Sequence, residues 1–209
     1  MSRARITISI DKDLIKEVDR RIDGMHIRNR SHAVETLLSE ALNLSTIKTA
    51  VILAGGDKAT RRVPAIKKSL ENLRKFGIFR IIIAVGYLGK EIEGQLAKVD
   101  TRGQKIEFQQ SSSGTGGALY DLRHKLKKPF FVFNVDKTTE VNLKNLVRFH
   151  QEHKPIATIA TYSLRDLNGV YVFEPAVFEY IPKGFSSLED DVFVKLTKEG
   201  KLLSYPILE

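Results

Sequence analysis

Three short stretches set residues with ligand chemistry at the ends of apolar runs. Gly55-Gly56 follows Thr49-Ala50-Val51-Ile52-Leu53-Ala54. A glycine pair lets a phosphate or a base approach the backbone closely, and it equally makes a tight turn. Gly114-Thr115-Gly116-Gly117-Ala118 opens a helical stretch whose first N–H groups suit an anion. Asn134-Val135-Asp136 puts a carboxylate just past a buried run, the place of a magnesium ligand, a helix cap or a turn former. Ala54, Gly55, Gly56, Gly114, Thr115, Gly116 and Gly117 are therefore the candidate nucleotide-binding residues. Asp136 is the candidate metal ligand, with Mg2+ the candidate cofactor.

The elements that position these stretches follow from apolar patterning. Runs at 49–54, 79–85, 105–109, 130–134, 156–162 and 169–173 read as strands, and helical stretches lie between them at 61–76, 88–97, 116–126 and 141–150. Strands alternating with helices predict an α/β, Rossmann-like sheet covered on both faces, with ligand chemistry at the carboxyl ends of the strands.

The first forty-odd residues read differently. Arg5, Thr7 and Ser9 alternate with Ile6, Ile8 and Ile10, the period of a half-buried strand. A helix follows from Asp11, with Leu14, Ile15, Val18 and Ile22 on one face and Gly24 as its stop. Asn29 is the N-cap of a second helix whose stripe of Ala33, Val34, Leu37, Leu38, Ala41 and Leu42 runs to about residue 43. The expected domains are 1–44 and 49–209, joined by a short polar segment. A strand and two helices below about 50 residues cannot bury that much apolar surface alone. Pairing the lone strand with its counterpart in a second copy is the economical solution, so a homodimer is expected.

The chain has 209 residues, 42% hydrophobic and 28% charged, a balance that excludes a disordered chain. No apolar run approaches the roughly 20 residues of a membrane span, and no signal-peptide core follows Met1, so a cytoplasmic location without membrane contact is expected. With no Cys and five scattered His, a Cys-based zinc site is excluded. The net charge of +9 favours polyanionic partners. Residues 1–48 hold nine Lys and Arg against seven acids, leaving +7 to the remainder. Bulk charge therefore does not mark the amino terminus as a DNA-binding region.

Arg5-Ile6-Thr7-Ile8-Ser9-Ile10, the helix from Asp11, and Asn29-Arg30-Ser31-His32-Ala33-Val34 together resemble the ribbon-helix-helix family of dimeric DNA-binding proteins. The resemblance implies that Arg5, Thr7 and Ser9 face base edges of double-stranded DNA, where Arg can pair with guanine and Thr or Ser can donate, accept or touch a thymine methyl. It also implies a phosphate held by the backbone N–H groups of Arg30 and Ser31 beside Asn29. The plainer reading of the alternation is the wet face of a dimerisation ribbon.

Downstream, Val51-Ile52-Leu53-Ala54-Gly55-Gly56, Gly114-Thr115-Gly116-Gly117-Ala118-Leu119, Asn134-Val135-Asp136, Gly169-Val170-Tyr171-Val172-Phe173 and Ser187-Leu188-Glu189-Asp190-Asp191-Val192-Phe193 resemble the sugar-phosphate nucleotidylyltransferase family over about 49–206. Departures fall on its working parts. The family's Gly-Gly-x-Gly-Thr-Arg loop becomes Gly55-Gly56-Asp57-Lys58-Ala59-Thr60-Arg61, which lacks the third glycine and sets Asp57 where triphosphate oxygens would lie. The family's Lys-Pro dipeptide is missing, with Lys67 or Lys68 as a substitute or simply as solvated helix residues. Its later Glu-Lys-Pro segment is missing too, and the chain stops at Glu209, before the family's Asp-x-Gly-Thr segment. Phosphoryl-type transfer depends on metals and cations to neutralise developing charge. The expected function is a DNA-binding transcription regulator whose second domain is non-catalytic and senses a nucleotide, sugar phosphate or nucleotide sugar. The alternative is a Mg-dependent sugar-phosphate nucleotidylyltransferase with a dimerising amino-terminal segment.

Overall fold

The structure, a computed structural model, describes residues 6–24, 27–41, 47–55, 63–97, 99, 101, 103–135, 141–163 and 166–207. The chain divides into two compact units, Met1–Leu44 and Ser45–Glu209.

In the first unit, Asp11 starts helix α1 (Lys12–Arg20) by accepting the N–H groups of Asp13 at 2.8 Å and Leu14 at 3.3 Å. The helix ends two residues short of Ile22, which the periodicity had placed on it. The turn runs on to Gly24, whose φ of +73° favours glycine. Helix α2 (Arg30–Ala41) is capped as expected, because the Asn29 side chain accepts the His32 N–H at 3.0 Å. Among the described residues, 6–10 pair with no other segment, so the strand expected there is not formed within the chain, and Ile6 and Ile8 are 72% and 53% exposed.

The second unit is built on one seven-stranded sheet in the order β3-β2-β1-β4-β6-β5-β7. Its strands are β1 (Thr49–Ala54), β2 (Arg80–Val85), β3 (Lys105–Gln110), β4 (Phe130–Asn134), β5 (Ala157–Ser163), β6 (Asp166–Phe173) and β7 (Leu202–Pro206). The first four strands pair in parallel, β6 runs antiparallel to both β4 and β5, and β7 is parallel to β5. The antiparallel β6 makes the sheet mixed, and β7 adds a strand to the six predicted. Patterning missed β7 because it is a short edge strand of half-exposed and exposed residues ending in a proline.

Alternate residues of each central strand enter two cores. Ala50 and Ile52 of β1 pack with Ile66, Leu70 and Leu73 of α3 (Val63–Lys75), Ile92 and Leu96 of α4 (Gly89–Leu96), and Leu146 and Val147 of α6 (Leu143–His153). Val51 and Leu53 face the other layer. That layer holds Leu119 of α5 (Gly114–Asp121), Leu196 of α7 (Val194–Lys198), and Leu188, Val192 and Phe193 of a π-helical turn, Leu188–Phe193. Helix α5 is shorter than the stretch predicted at 116–126, since residues 122–125 continue as turns.

One buried titratable group ties α6 to the sheet. His150, 2% exposed, lies with Nδ1 2.7 Å from Thr158 Oγ1 and Nε2 3.3 Å from Glu174 Oε1. Burial outweighs the Glu174 carboxylate and holds its pKa below the ordinary imidazole value.

Candidate functional site

The order of the parallel strands reverses at β1, which has β2 on one side and β4 on the other, so a crevice is expected beyond their carboxyl ends. Gly55 follows β1 there. A Cβ built on it would lie 4.0 Å from the Gly86 N–H nitrogen beyond β2, so the two turns approach closely. Ala54 is fully buried, and its side chain belongs to the core. Asn134, 7% exposed, ends β4 opposite Leu53. Gly169 of β6 lies against it so closely that any side chain's Cβ would sit 2.3 Å from the Asn134 carbonyl oxygen.

Around Asn134 the second unit forms a depression of about 480 Å³, lined by Gly114, Thr115, Phe185, Ser186, Ser187, Glu189 and Asp190. Gly114, at φ +74°, starts α5 with its Cβ position 2.4 Å from the Ser186 carbonyl oxygen. That carbonyl accepts the Gly116 N–H at 2.8 Å and the Gly117 N–H at 3.4 Å. Gly116 and Gly117 are buried beneath the 184–186 segment, so an anion at these amides would compete with a bond already made. The glycine run serves close approach of two backbones: a Cβ on Gly117 would meet the Gly184 carbonyl oxygen at 2.5 Å.

The lining segment is tied down by its own polar groups. Thr115 Oγ1 accepts the Leu188 N–H at 2.9 Å, and Ser187 caps the π-helical turn by accepting the Asp190 N–H at 3.2 Å. Asp191 in turn accepts the Ser187 N–H at 2.8 Å. Glu189 accepts from the Ser187 hydroxyl at 3.4 Å and from the Tyr171 hydroxyl at 3.5 Å. Burial, reinforced by the Glu189 charge, pushes the Tyr171 hydroxyl far above its usual pKa, so it stays a neutral donor. Phe185 is 80% exposed at the rim, whereas the Ser186 hydroxyl is buried with no hydrogen-bond partner among the described residues.

Gly114 and Thr115 thus meet Asn134 at one depression, and Gly55 lies at the end of β1. The predicted site residues Gly56 and Asp136 lie outside the described residues. Among the described residues no three His, Asp or Glu side chains gather to hold a metal ion. Sequence reading left Phe185, Ser186, Ser187, Glu189 and Asp190 out of the site, although the serine three positions ahead of Asp190 carries a helix-cap signal.

In the first unit, Thr7 and Ser9 are exposed, and Arg5 lies outside the described residues. Arg30 Nε and Nη2 reach Asp19 Oδ1 and Oδ2 at 2.8 and 2.7 Å, a bidentate clamp between α1 and α2. The guanidinium lowers the Asp19 pKa, and the carboxylate raises that of Arg30. With its side chain engaged, Arg30 has its backbone N–H to offer a phosphate, beside that of the exposed Ser31.

A family model described as "Ribbon-helix-helix protein, copG family" matches residues 4–45, and one described as "Nucleotidyl transferase" matches residues 57–168. Mannose-1-phosphate guanyltransferase beta-B of Xenopus laevis is 25% identical over 178 residues, covering 68% of this chain and 49% of its own. The Drosophila melanogaster mannose-1-phosphate guanylyltransferase catalytic subunit beta is 27% identical over 198 residues, covering 77% and 52%. The chain spans about half the length of these curated relatives. HddC from Yersinia pseudotuberculosis, complexed with GMP-PN, shares the fold at a TM-score of 0.66 and 21% identity, over 77% of this chain and 91% of that one. The chain belongs to the nucleotidyl transferase family and carries a ribbon-helix-helix segment ahead of its α/β sheet.

Proposed function

We propose that this protein is a homodimeric, cytoplasmic DNA-binding transcription regulator whose α/β unit senses a nucleotide sugar or sugar phosphate without turning it over. The observation that carries the reading is the chemistry of the depression at the end of β4. Its described lining offers an amide, three hydroxyls, two carboxylates and one exposed aromatic ring, and no Lys or Arg. Carboxylates and an amide accept and donate to sugar hydroxyls, an exposed ring covers a sugar face, and the orphaned Ser186 hydroxyl gains a partner when a polar ligand fills the space. Triphosphate chemistry needs cations, and the amides of Gly116 and Gly117 already serve Ser186.

The guanylyltransferase relatives make mannose 1-phosphate, GTP and GDP-mannose the first ligands to try. Isothermal titration is expected to give saturable heat with the sugar-bearing compounds, reduced at least about 10-fold in affinity by Glu189→Ala, the loss of a charged hydrogen-bond partner. No heat from any of them rejects sensing. For the first unit, the exposed Ile6, Ile8, Leu14 and Leu38 support a second copy that covers them, with Arg5, Thr7 and Ser9 turned to the major groove and the Asn29–Ser31 turn on a phosphate. Selection of bound duplex from a random pool tests that assignment.

The enzymatic reading is favoured by the nucleotidyl transferase match over residues 57–168. Pyrophosphate release from GTP and mannose 1-phosphate with Mg2+, abolished by Asp136→Ala, would establish it over the sensor.

A further inference from the structure

The edge of the sheet where β1, β2 and β3 begin carries its own concavity of about 570 Å³, whose lining includes Lys48, Phe79, Arg80, Lys105 and Glu107. Arg80 and Lys105 are exposed register partners in the parallel pairing of β2 with β3. Like charges directly opposite on neighbouring strands cost stability unless an anion relieves them. Lys48, also exposed, immediately precedes Thr49, the register partner of Arg80. The acid of this concavity is already engaged, because Glu107 pairs with Lys125. Among the described residues, Arg80 reaches only the Lys125 carbonyl oxygen, at 3.4 Å. Among the described residues no ion pair joins Lys48, Arg80 or Lys105 to an acid.

Helix chemistry accounts for other cations nearby but not for these. Arg74 and Lys75 close α3, where the negative end of the helix favours them. Strands have only small net dipoles, so nothing of that kind offsets three cations at strand starts. Phe79, 46% exposed, adds apolar floor along which basic stems can lie.

We propose that this edge binds the phosphate backbone of duplex DNA, the polyanion its unpaired cations complement. The inference rests on the DNA-binding reading above. Lys48 follows Leu44, the last residue of the first unit, by four positions. Carried on one chain, the two units act on DNA as linked modules, each adding to the affinity of the other. Phosphate contacts carry no sequence information, so the edge adds affinity and salt dependence without changing the preferred sequence.

The test uses the full chain with Lys48→Gln, Arg80→Gln and Lys105→Gln combined, titrated by fluorescence anisotropy against a selected duplex and a random one across a salt series. The expected result is a slope of log affinity against log salt flattened by about 2 to 3 per protomer, with both duplexes weakened alike, about 10-fold or more. Each single variant flattens the slope by about 0.9, which keeps the test intact if the triple variant fails to fold. The exchange Arg80→Lys with Lys105→Arg retains the wild-type slope. Wild-type protein that binds no duplex at low salt overturns the DNA reading and this inference together. Wild-type binding with an unchanged slope in the variants overturns the inference alone. Unchanged duplex binding with lost binding of inorganic phosphate assigns the concavity to a small anion and likewise overturns it.

Discussion

The two units of this chain solve the problem of burying apolar surface in opposite ways. The second unit sandwiches its sheet between two apolar layers, and Phe130, Phe131, Tyr171 and Phe173 are fully buried within it. The first unit, among its described residues, buries only Val18 and Ala33 and leaves Ile6, Ile8, Leu14 and Leu38 exposed. All seven strands of the sheet find a partner within one chain, whereas a single strand cannot pair with itself. One unit thus buries its apolar residues within the chain, while the other leaves Ile6, Ile8, Leu14 and Leu38 for the proposed second copy to cover.

Four changes break or sharpen that contrast. Phe131→Ala removes a fully buried ring packed edge-on against Phe76 at 5.8 Å and is expected to cost the second unit about 3–5 kcal/mol in denaturant unfolding. Self-association should survive it; dissociation would show that the units are not energetically separate. Ile8→Asp buries a charge in each copy of the proposed ribbon and is expected to weaken self-association by about 100-fold or more in sedimentation, with the unfolding midpoint of the second unit unchanged. An undisturbed oligomer would remove Ile8 from the interface.

Thr7→Ala is expected to lose about 1–3 kcal/mol of discrimination between selected and random duplex, leaving the oligomer intact. The smallest effect is set by pH. His150 has its pKa lowered in the folded chain, so well above pH 6.5 neither folded nor unfolded imidazole is charged and no proton is exchanged. As pH falls below that value, the unfolded chain takes up the proton first. Stability of the second unit then declines by no more than about 1.4 kcal/mol per pH unit until the folded pKa is reached. His150→Gln should flatten that segment of the pH profile, and an unaltered profile would assign the decline to other groups.

The parallel half of the sheet was legible because runs such as Thr49–Ala54 and Phe130–Asn134 are buried on both faces and so read as continuous apolar stretches. Asp11 and Asn29 announced their helices through cap chemistry that is local in sequence. What escaped was non-local. The reversal at β6 depends on which neighbour a strand chooses, and the amides of Gly116 and Gly117 are taken by a carbonyl some seventy positions away in the chain. Glycine runs announce close backbone approach without saying whether the visitor is a phosphate or a peptide. Of the lining from Phe185 to Asp190, only Ser187, Glu189 and Asp190 fall in the stretch that resembles the family, and only the folded chain carries them to Asn134.

The grip of the Ser186 carbonyl on the first turn of α5 makes one mechanical piece of two distant stretches of sequence. The carbonyl stands next to Phe185 at the rim, and the helix it holds carries Leu119 into the core. A ligand that moved that rim would therefore pull first on the two amides at the start of the helix.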